Sequence, residues 1–250
     1  MEYLSAHELD RYRRQMMLDG FTPEHQQMLK NSTALIAGIG GLGGTAAIYL
    51  AVAGIGKMVF AHSGDLTLSN MNRQILMRHN WIGNVRVIQG KRTINEINPD
   101  VRIDIWDART SDDNVDALLI GADIALSARP TFYERRALNS GCVRNGIPMV
   151  EAAMNGMEGY IFNVVPGKTA CLNCLYPEDD PSWKELGFPV LGAVSGMLGC
   201  LMAIETIKLL TGFRKPLLGK MLYFDTAGMD FRKLSVRRDE NCKVCGKAAD

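Results

Sequence analysis

Short apolar runs alternate with longer amphipathic stretches through the first 158 residues. Thr33 to Ala37 is a compact apolar run, and Lys57 to Ala61 is a second. Between them Thr45 to Ala53, rich in Ala, Ile and Leu, reads as a helix that Gly54 and Gly56 stop. The alternation continues. Asn84 to Asn95 is helical and closed by Asn98-Pro99, Val101 to Trp106 alternates as a strand, and Asn114 to Ile120 is a short helix. Ile124 to Ser127 reads as a strand, Phe132 to Asn145 as a helix ended by Gly146, and Pro148 to Ala152 as a strand. Strands that alternate with helices predict a mainly parallel, Rossmann-like α/β sheet covered by helices on both faces.

The pattern changes after residue 158. Gly159 to Val165, Lys220 to Asp225 and Phe231 to Val236 read as strands around one apolar helix, Leu191 to Leu210, which Gly212 ends. Residues 175–190 are Pro-rich, acidic and aperiodic, which fits a crossover loop. The chain therefore divides into N-terminal helices (1–30), a nucleotide-binding α/β part (31–158) and a smaller β-rich part (159–250), expected to form one continuous domain.

Composition narrows the class. Nearly half of the 250 residues are hydrophobic, enough for a core without disulfides. Lys plus Arg number 28 against 27 Asp plus Glu, so no charge excess points to nucleic acid or an anionic membrane. The N-terminus lacks an apolar signal core, and no uninterrupted apolar stretch reaches the roughly 18 residues of a membrane span. The expectation is a cytoplasmic protein with reduced thiols. Four of the six Cys form two pairs, Cys171-x-x-Cys174 and Cys242-x-x-Cys245. Four thiolates in two knuckles suit a closed structural zinc site, with metal–sulfur distances of about 2.3 Å. The alternatives are disulfides or a redox C-x-x-C. Cys142 and Cys200 stand alone and read as small core hydrophobes.

A glycine cluster, Gly38-x-Gly40-Gly41-x-Gly43-Gly44, follows the first strand and opens the first long helix. Such a turn brings bare backbone close to a ligand, and free N–H groups at the helix start favour a phosphate. A tight turn without ligand remains the plain alternative. The second strand runs into His62-Ser63-Gly64-Asp65, so His62 stands where a ribose-binding carboxylate is expected, with Asp65 displaced beyond it. That weakens a nicotinamide-dinucleotide reading.

Leu68-Ser69-Asn70-Met71-Asn72-Arg73-Gln74 resembles the L-S-N-L-x-R-Q segment of the MoeB/ThiF/HesA-type adenylyltransferases, relatives of the ubiquitin-activating enzymes. The resemblance runs nearly end to end. It includes Arg11-Tyr12-Arg13-Arg14-Gln15, Gly38 to Gly44, Met157-Glu158-Gly159, Ala203-Ile204-Glu205-Thr206-Ile207-Lys208 and the paired C-x-x-C motifs. It implies ATP at the glycine turn and adenylation of a carboxylate, typically the C-terminal glycine of a ubiquitin-fold sulfur carrier. It also implies a homodimer in which Arg14 reaches the neighbour's site, with Arg73 on the triphosphate. Gly38, Gly40, Gly41, Gly43, His62, Asn70 and Arg73 would line the nucleotide, and Arg73, Arg14 and Arg86 would serve catalysis. Arginine suits this work because it binds phosphate oxygens bidentately.

Three positions depart from the family pattern. His62 replaces the ribose carboxylate, Arg86 replaces a lysine, and Ser127-Ala128-Arg129-Pro130-Thr131 stands where a D-x-x-D-N segment would coordinate Mg²⁺. Mg²⁺ is held through carboxylates and phosphates, so its place here is in question, with Asp65 and Asp123 as substitutes elsewhere and Arg129 as a direct phosphate partner. Two functions compete: an active adenylyltransferase, and a pseudoenzyme of the same fold that holds a carrier protein or altered nucleotide without turnover.

Overall fold

A computed structural model describes residues 3–178 and 187–246. The elements run α1 (Ala6–Arg11), α2 (Arg13–Met16), α3 (Pro23–Lys30), β1 (Thr33–Ala37), α4 (Gly41–Ala53), β2 (Lys57–Ala61), α5 (Arg86–Ile97), β3 (Arg102–Trp106), α6 (Val115–Leu119), β4 (Ile124–Ser127), α7 (Phe132–Asn145), β5 (Met149–Asn155), β6 (Glu158–Val164), α8 (Leu172–Leu175), α9 (Gly192–Thr211), β7 (Lys220–Asp225) and β8 (Asp230–Ser235). The eight strands of the described residues join one sheet in the order β3-β2-β1-β4-β5-β6-β7-β8. The first five are mutually parallel, and β6, β7 and β8 add antiparallel strands beyond β5.

The apolar strands are continuous runs because both of their faces are covered. Ala34 and Ile36 of β1, with Met58 and Phe60 of β2, face a core shared with α3, α4, α5 and α9. Leu35 and Ala37, with Val59 and Ala61, face a second core under α6, α7 and α8. Glycine residues in left-handed conformation cap α4, α7 and α9 at Gly54, Gly146 and Gly212. Helix α9 has the length and apolar composition of a membrane span, more than the sequence pattern implied. It packs along α4 and over β5 and β6, so it serves as the central helix of this sheet's cover.

Boundaries moved in two informative places. Helix α4 starts at Gly41 rather than Thr45, because packing rather than propensity fixes its first turn. Helix α5 starts at Arg86, since Gly83 takes φ 88° and Val85 is still extended. Of the expected crossover loop 175–190, residues 179–186 lie outside the described residues, as do 247–250 of the C-terminal part. Glu205 and Lys208 of the A-x-E-x-I-K stretch are structural: Glu205 accepts from Asn163 Nδ2 at 2.6 Å, from the Leu217 N–H at 2.7 Å and from Lys208 at 2.7 Å.

The N-terminal helices sit at the edge of the sheet where the parallel strands begin. Tyr12 and Gln26 pack against Gly54 ahead of β2, and the Tyr12 hydroxyl accepts from Asn98 Nδ2 at 2.9 Å ahead of β3. The carboxyl ends of the strands point the other way.

Candidate functional site

A cleft of about 720 Å³ opens at the carboxyl ends of β1, β2, β4 and β5. Strand order reverses between β1 and β4, and an open α/β sheet presents its ligand crevice at such a point. The glycine cluster divides its labour there. Gly40 and Gly41 line the cleft at the start of α4, whose first-turn N–H groups have no partner within the helix. Gly38 and Gly43 do not line it; they make the turn possible. Gly38 has φ 98°, and a Cβ there would meet the Ala128 carbonyl and the Arg129 side chain at 2.6 Å. A Cβ at Gly43 would lie 1.9 Å from the Gly38 carbonyl oxygen.

Asn70 and Arg73 reach the cleft from the loop after β2. Asn70 Oδ1 accepts the Thr67 N–H at 3.0 Å, and its carbonyl accepts the Arg73 and Gln74 N–H groups, so it builds the turn that presents Arg73. The Arg73 guanidinium donates to the Ser69 carbonyl at 3.0 Å and to Asn72 Oδ1 at 2.8 Å. Arg86, at the start of α5, donates to the carbonyls of Ser63 at 2.6 Å and Gly64 at 3.0 Å. Burial, then its neighbours Arg129 and Arg73, lower its pKa to about 10, so it stays charged near neutrality.

At the end of β2, His62 lines the cleft but is buried, with its Nδ1 turned to protein donors. Its Nδ1 accepts from the Ile39 N–H at 3.1 Å and from Arg129 Nη1 at 2.8 Å, which puts the ring proton on Nε2. Arg129 is equally committed. Its Nη2 donates to Glu134 Oε2 at 3.0 Å, and its Nε lies 2.8 Å from Oε1 in an ion-pair contact. Thr131 caps α7 and also donates to Glu134, at 2.8 Å, holding that carboxylate in place. Arg129 lines the cleft, but its three nitrogens face protein partners.

Burial, then the nearby Arg129, Arg86 and Arg109, hold His62 well below the ordinary histidine pKa. The native ring stays neutral where the unfolded chain would take up a proton. Stability conferred by His62 is thus complete above about pH 6.5 and declines as pH falls below it, by up to about 1.4 kcal/mol per pH unit. Urea unfolding between pH 7 and pH 5 should show that slope, and His62→Gln should flatten it; an unchanged slope in the variant would assign the loss to other groups.

Arg135, from α7, lines the cleft as well, though nothing in the amphipathic pattern of that helix marked it. It is buried against Glu151, with Nε 3.0 Å from Oε1, and also donates to the Tyr160 hydroxyl. Ser195 near the start of α9 and Arg109 also line the cleft, and no motif pointed to either. Asp65 lines the cleft, whereas Asp123 is far from it, accepting the Thr33 N–H at 2.8 Å at the opposite end of β1. Ser127 is buried, and Pro130 lines the cleft. Arg14 lies on exposed α2, at the edge of the sheet away from its own chain's cleft.

A second site is the Cys cluster. The Sγ atoms of Cys171, Cys174, Cys242 and Cys245 lie within 4.8 Å of one another, with neighbouring pairs at 3.4, 3.7 and 4.0 Å. A tetrahedron of sulfurs about 2.3 Å from zinc has edges of about 3.8 Å, so these four can hold that ion. All six cysteines are free thiols, and neither C-x-x-C is bridged. The Asp239 N–H points to Cys174 Sγ at 3.5 Å, and Arg238 Nε donates to the Cys245 carbonyl at 2.9 Å, so the knuckles are supported from outside. Cys142 is buried in the core and Cys200 half-buried on α9.

A parallel sheet with a glycine turn at its switch point and arginines around the crevice defines an α/β protein of the nucleotide-binding class. Residues 12–244 match the ThiF family, and the chain belongs to it. It is 52% identical over 246 residues to the heterocyst HesA protein of Trichormus variabilis, covering 98% of this chain and 92% of that protein. It is 34% identical over 238 residues to the sulfur carrier protein ThiS adenylyltransferase of Escherichia coli, covering 94% of each. In structure it resembles MccB of E. coli solved with ATP, at a TM-score of 0.82 and 24% identity, covering 98% of this chain and 76% of MccB; that likeness is one of fold.

Proposed function

We propose that the protein adenylates a carboxylate: the C-terminal glycine of a ubiquitin-fold sulfur carrier, or a small carboxylic acid. The observation that carries this reading is the meeting of Gly40, Gly41 and Arg73 in one cleft at the switch point of the sheet. ATP would place its phosphates against the first turn of α4, with Arg73 and Arg86 beside them. Attack of the carboxylate oxygen on the α-phosphorus forms the acyl-adenylate and expels pyrophosphate, whose developing charge arginines stabilise. The small side chains of Ala152 and Ala153 on β5 leave room on the cleft wall for an extended, glycine-ended tail. The Cys cluster would hold structural zinc away from this chemistry.

The active unit in this reading is a cytoplasmic homodimer. Arg14 is too far round the sheet to serve its own cleft, and half-exposed Tyr49, Val52 and Ile204 leave an apolar surface on α4 and α9 that a second copy would cover. A second reading, a pseudoenzyme that binds without turnover, is favoured by one set of facts: His62, Arg129 and Glu134 form a closed group where the family pattern implies catalytic carboxylates.

ATP–pyrophosphate exchange separates the two. With carriers ending in glycine, or with a panel of small carboxylates, exchange that depends on the carboxylate supports the enzyme. Nucleotide binding with no exchange across the panel supports the pseudoenzyme.

A further inference from the structure

We propose that the cleft takes the triphosphate of its nucleotide as a free polyanion, with Arg73 and Arg86 supplying the charge that a divalent cation would otherwise bring. The inference rests on the nucleotide reading and adds to it the ionic form of the ligand.

Mg²⁺ gives up its water reluctantly and is placed by one or two carboxylates together with phosphate oxygens. The residues here do not fit that ion. At the two positions where the resemblance implies carboxylates stand Ser127, whose side chain is buried, and Pro130, whose side chain has no ligand atom. Two carboxylates lie just behind the wall, and each is paired with a guanidinium. Glu134 holds Arg129 through Nη2 and Nε, and Glu151 holds Arg135. Turning either toward a metal would leave a buried guanidinium unpaired, which is costlier than any single new contact returns.

Asp65 is the one carboxylate lining the cleft among the described residues. It is exposed at the mouth, and its charge acts on Arg86 beside it. Against it stand five lining guanidiniums, those of Arg73, Arg86, Arg109, Arg129 and Arg135. Two of the five, Arg129 and Arg135, are neutralised from behind by Glu134 and Glu151, whereas Arg73 and Arg86 donate to carbonyl and amide oxygens and keep their charge at the wall. A second cation placed there is repelled, while a polyphosphate is attracted. Free ATP carries more negative charge than its Mg²⁺ complex, so chelation in solution removes part of what this cleft recognises.

Calorimetric titration of the full-length protein with ATP and with inorganic tripolyphosphate, each in EDTA and in excess MgCl₂ at matched ionic strength, tests this. The expected result is binding in EDTA as tight as, or tighter than, in Mg²⁺, with Asp65→Asn equal to or tighter than the natural chain. Tripolyphosphate bound without metal while ATP is not would uphold the cation-free cleft and remove the nucleotide reading. Binding at least tenfold tighter in Mg²⁺, and lost in Asp65→Asn, would overturn the proposal by making Asp65 the metal ligand. Tenfold Mg²⁺ dependence that survives Asp65→Asn would also overturn it, and no binding of either probe in any condition overturns both readings.

Discussion

Cys174→Ala is expected to strip the protein of one zinc ion per chain and to loosen its C-terminal segment while leaving the cleft intact. The four Sγ atoms already lie at the edges of a tetrahedron that fits zinc, and they join the start of α8 to a segment with little else to hold it. Strand β8 is exposed along its whole length, and residues 236–246 reach the fold through Cys242, Cys245, Val244, the Arg238 contacts and the Val236 N–H on the Gly219 carbonyl. Structural zinc contributes about 10–16 kcal/mol in small domains that fold only with metal. In this larger sheet a part of that is at stake, at least about 3 kcal/mol, which would lower Tm by roughly 6–12 °C. Elemental analysis should give one zinc per natural chain and near none in the variant. Hydrogen exchange should report protection lost at residues 236–246, with nucleotide affinity changed less than about threefold. Equimolar zinc retained in Cys174→Ala would mean the cluster is not the metal site.

Arg129→Ala should be the most damaging single change near the cleft. It removes the cation that neutralises Glu134, a carboxylate with 1% side-chain exposure in the first turn of α7, and leaves that charge buried. Breaking a buried pair from one side typically costs about 3–5 kcal/mol, whereas replacing both partners by apolar residues is often neutral. Urea unfolding should therefore show a loss of that size for Arg129→Ala and most of it recovered in Arg129→Met/Glu134→Leu. If the single variant loses less than about 1 kcal/mol, the group is not the closed unit described here.

That group marks where sequence reading stopped. Arg129 stands one residue before Pro130, and by spacing alone it is a cation beside a phosphate site. Its partner Glu134 is placed by the Thr131 cap of α7, and His62 by the end of a different strand, so the triad exists only after β2, β4 and α7 are assembled. Arg135 was hidden for the same reason: its partners Glu151 and Tyr160 come from β5 and β6. The glycine turn was legible because Gly38 and Gly43 answer to local sterics, a positive φ and a contact that no Cβ permits. The Cys knuckles were legible because ligand spacing survives in the linear chain. The alternating strands were legible because burial on both faces leaves unbroken apolar runs. Asn70 belonged to a recognised segment, but its work as the builder of the Arg73 turn appears only in hydrogen bonds.

The central claim is that a nucleotide lies against Gly40 and Gly41 with Arg73 on its phosphates. It is tested most directly by titrating ATP into the natural chain and into Arg73→Ala. Loss of charge-assisted bonds to phosphate costs about 1.5–3 kcal/mol, roughly ten- to a hundredfold in affinity. The account predicts one ATP per chain and a weakening of that order in the variant, with the fold unchanged by circular dichroism. ATP bound equally well by Arg73→Ala, or not bound by the natural chain at all, would contradict it.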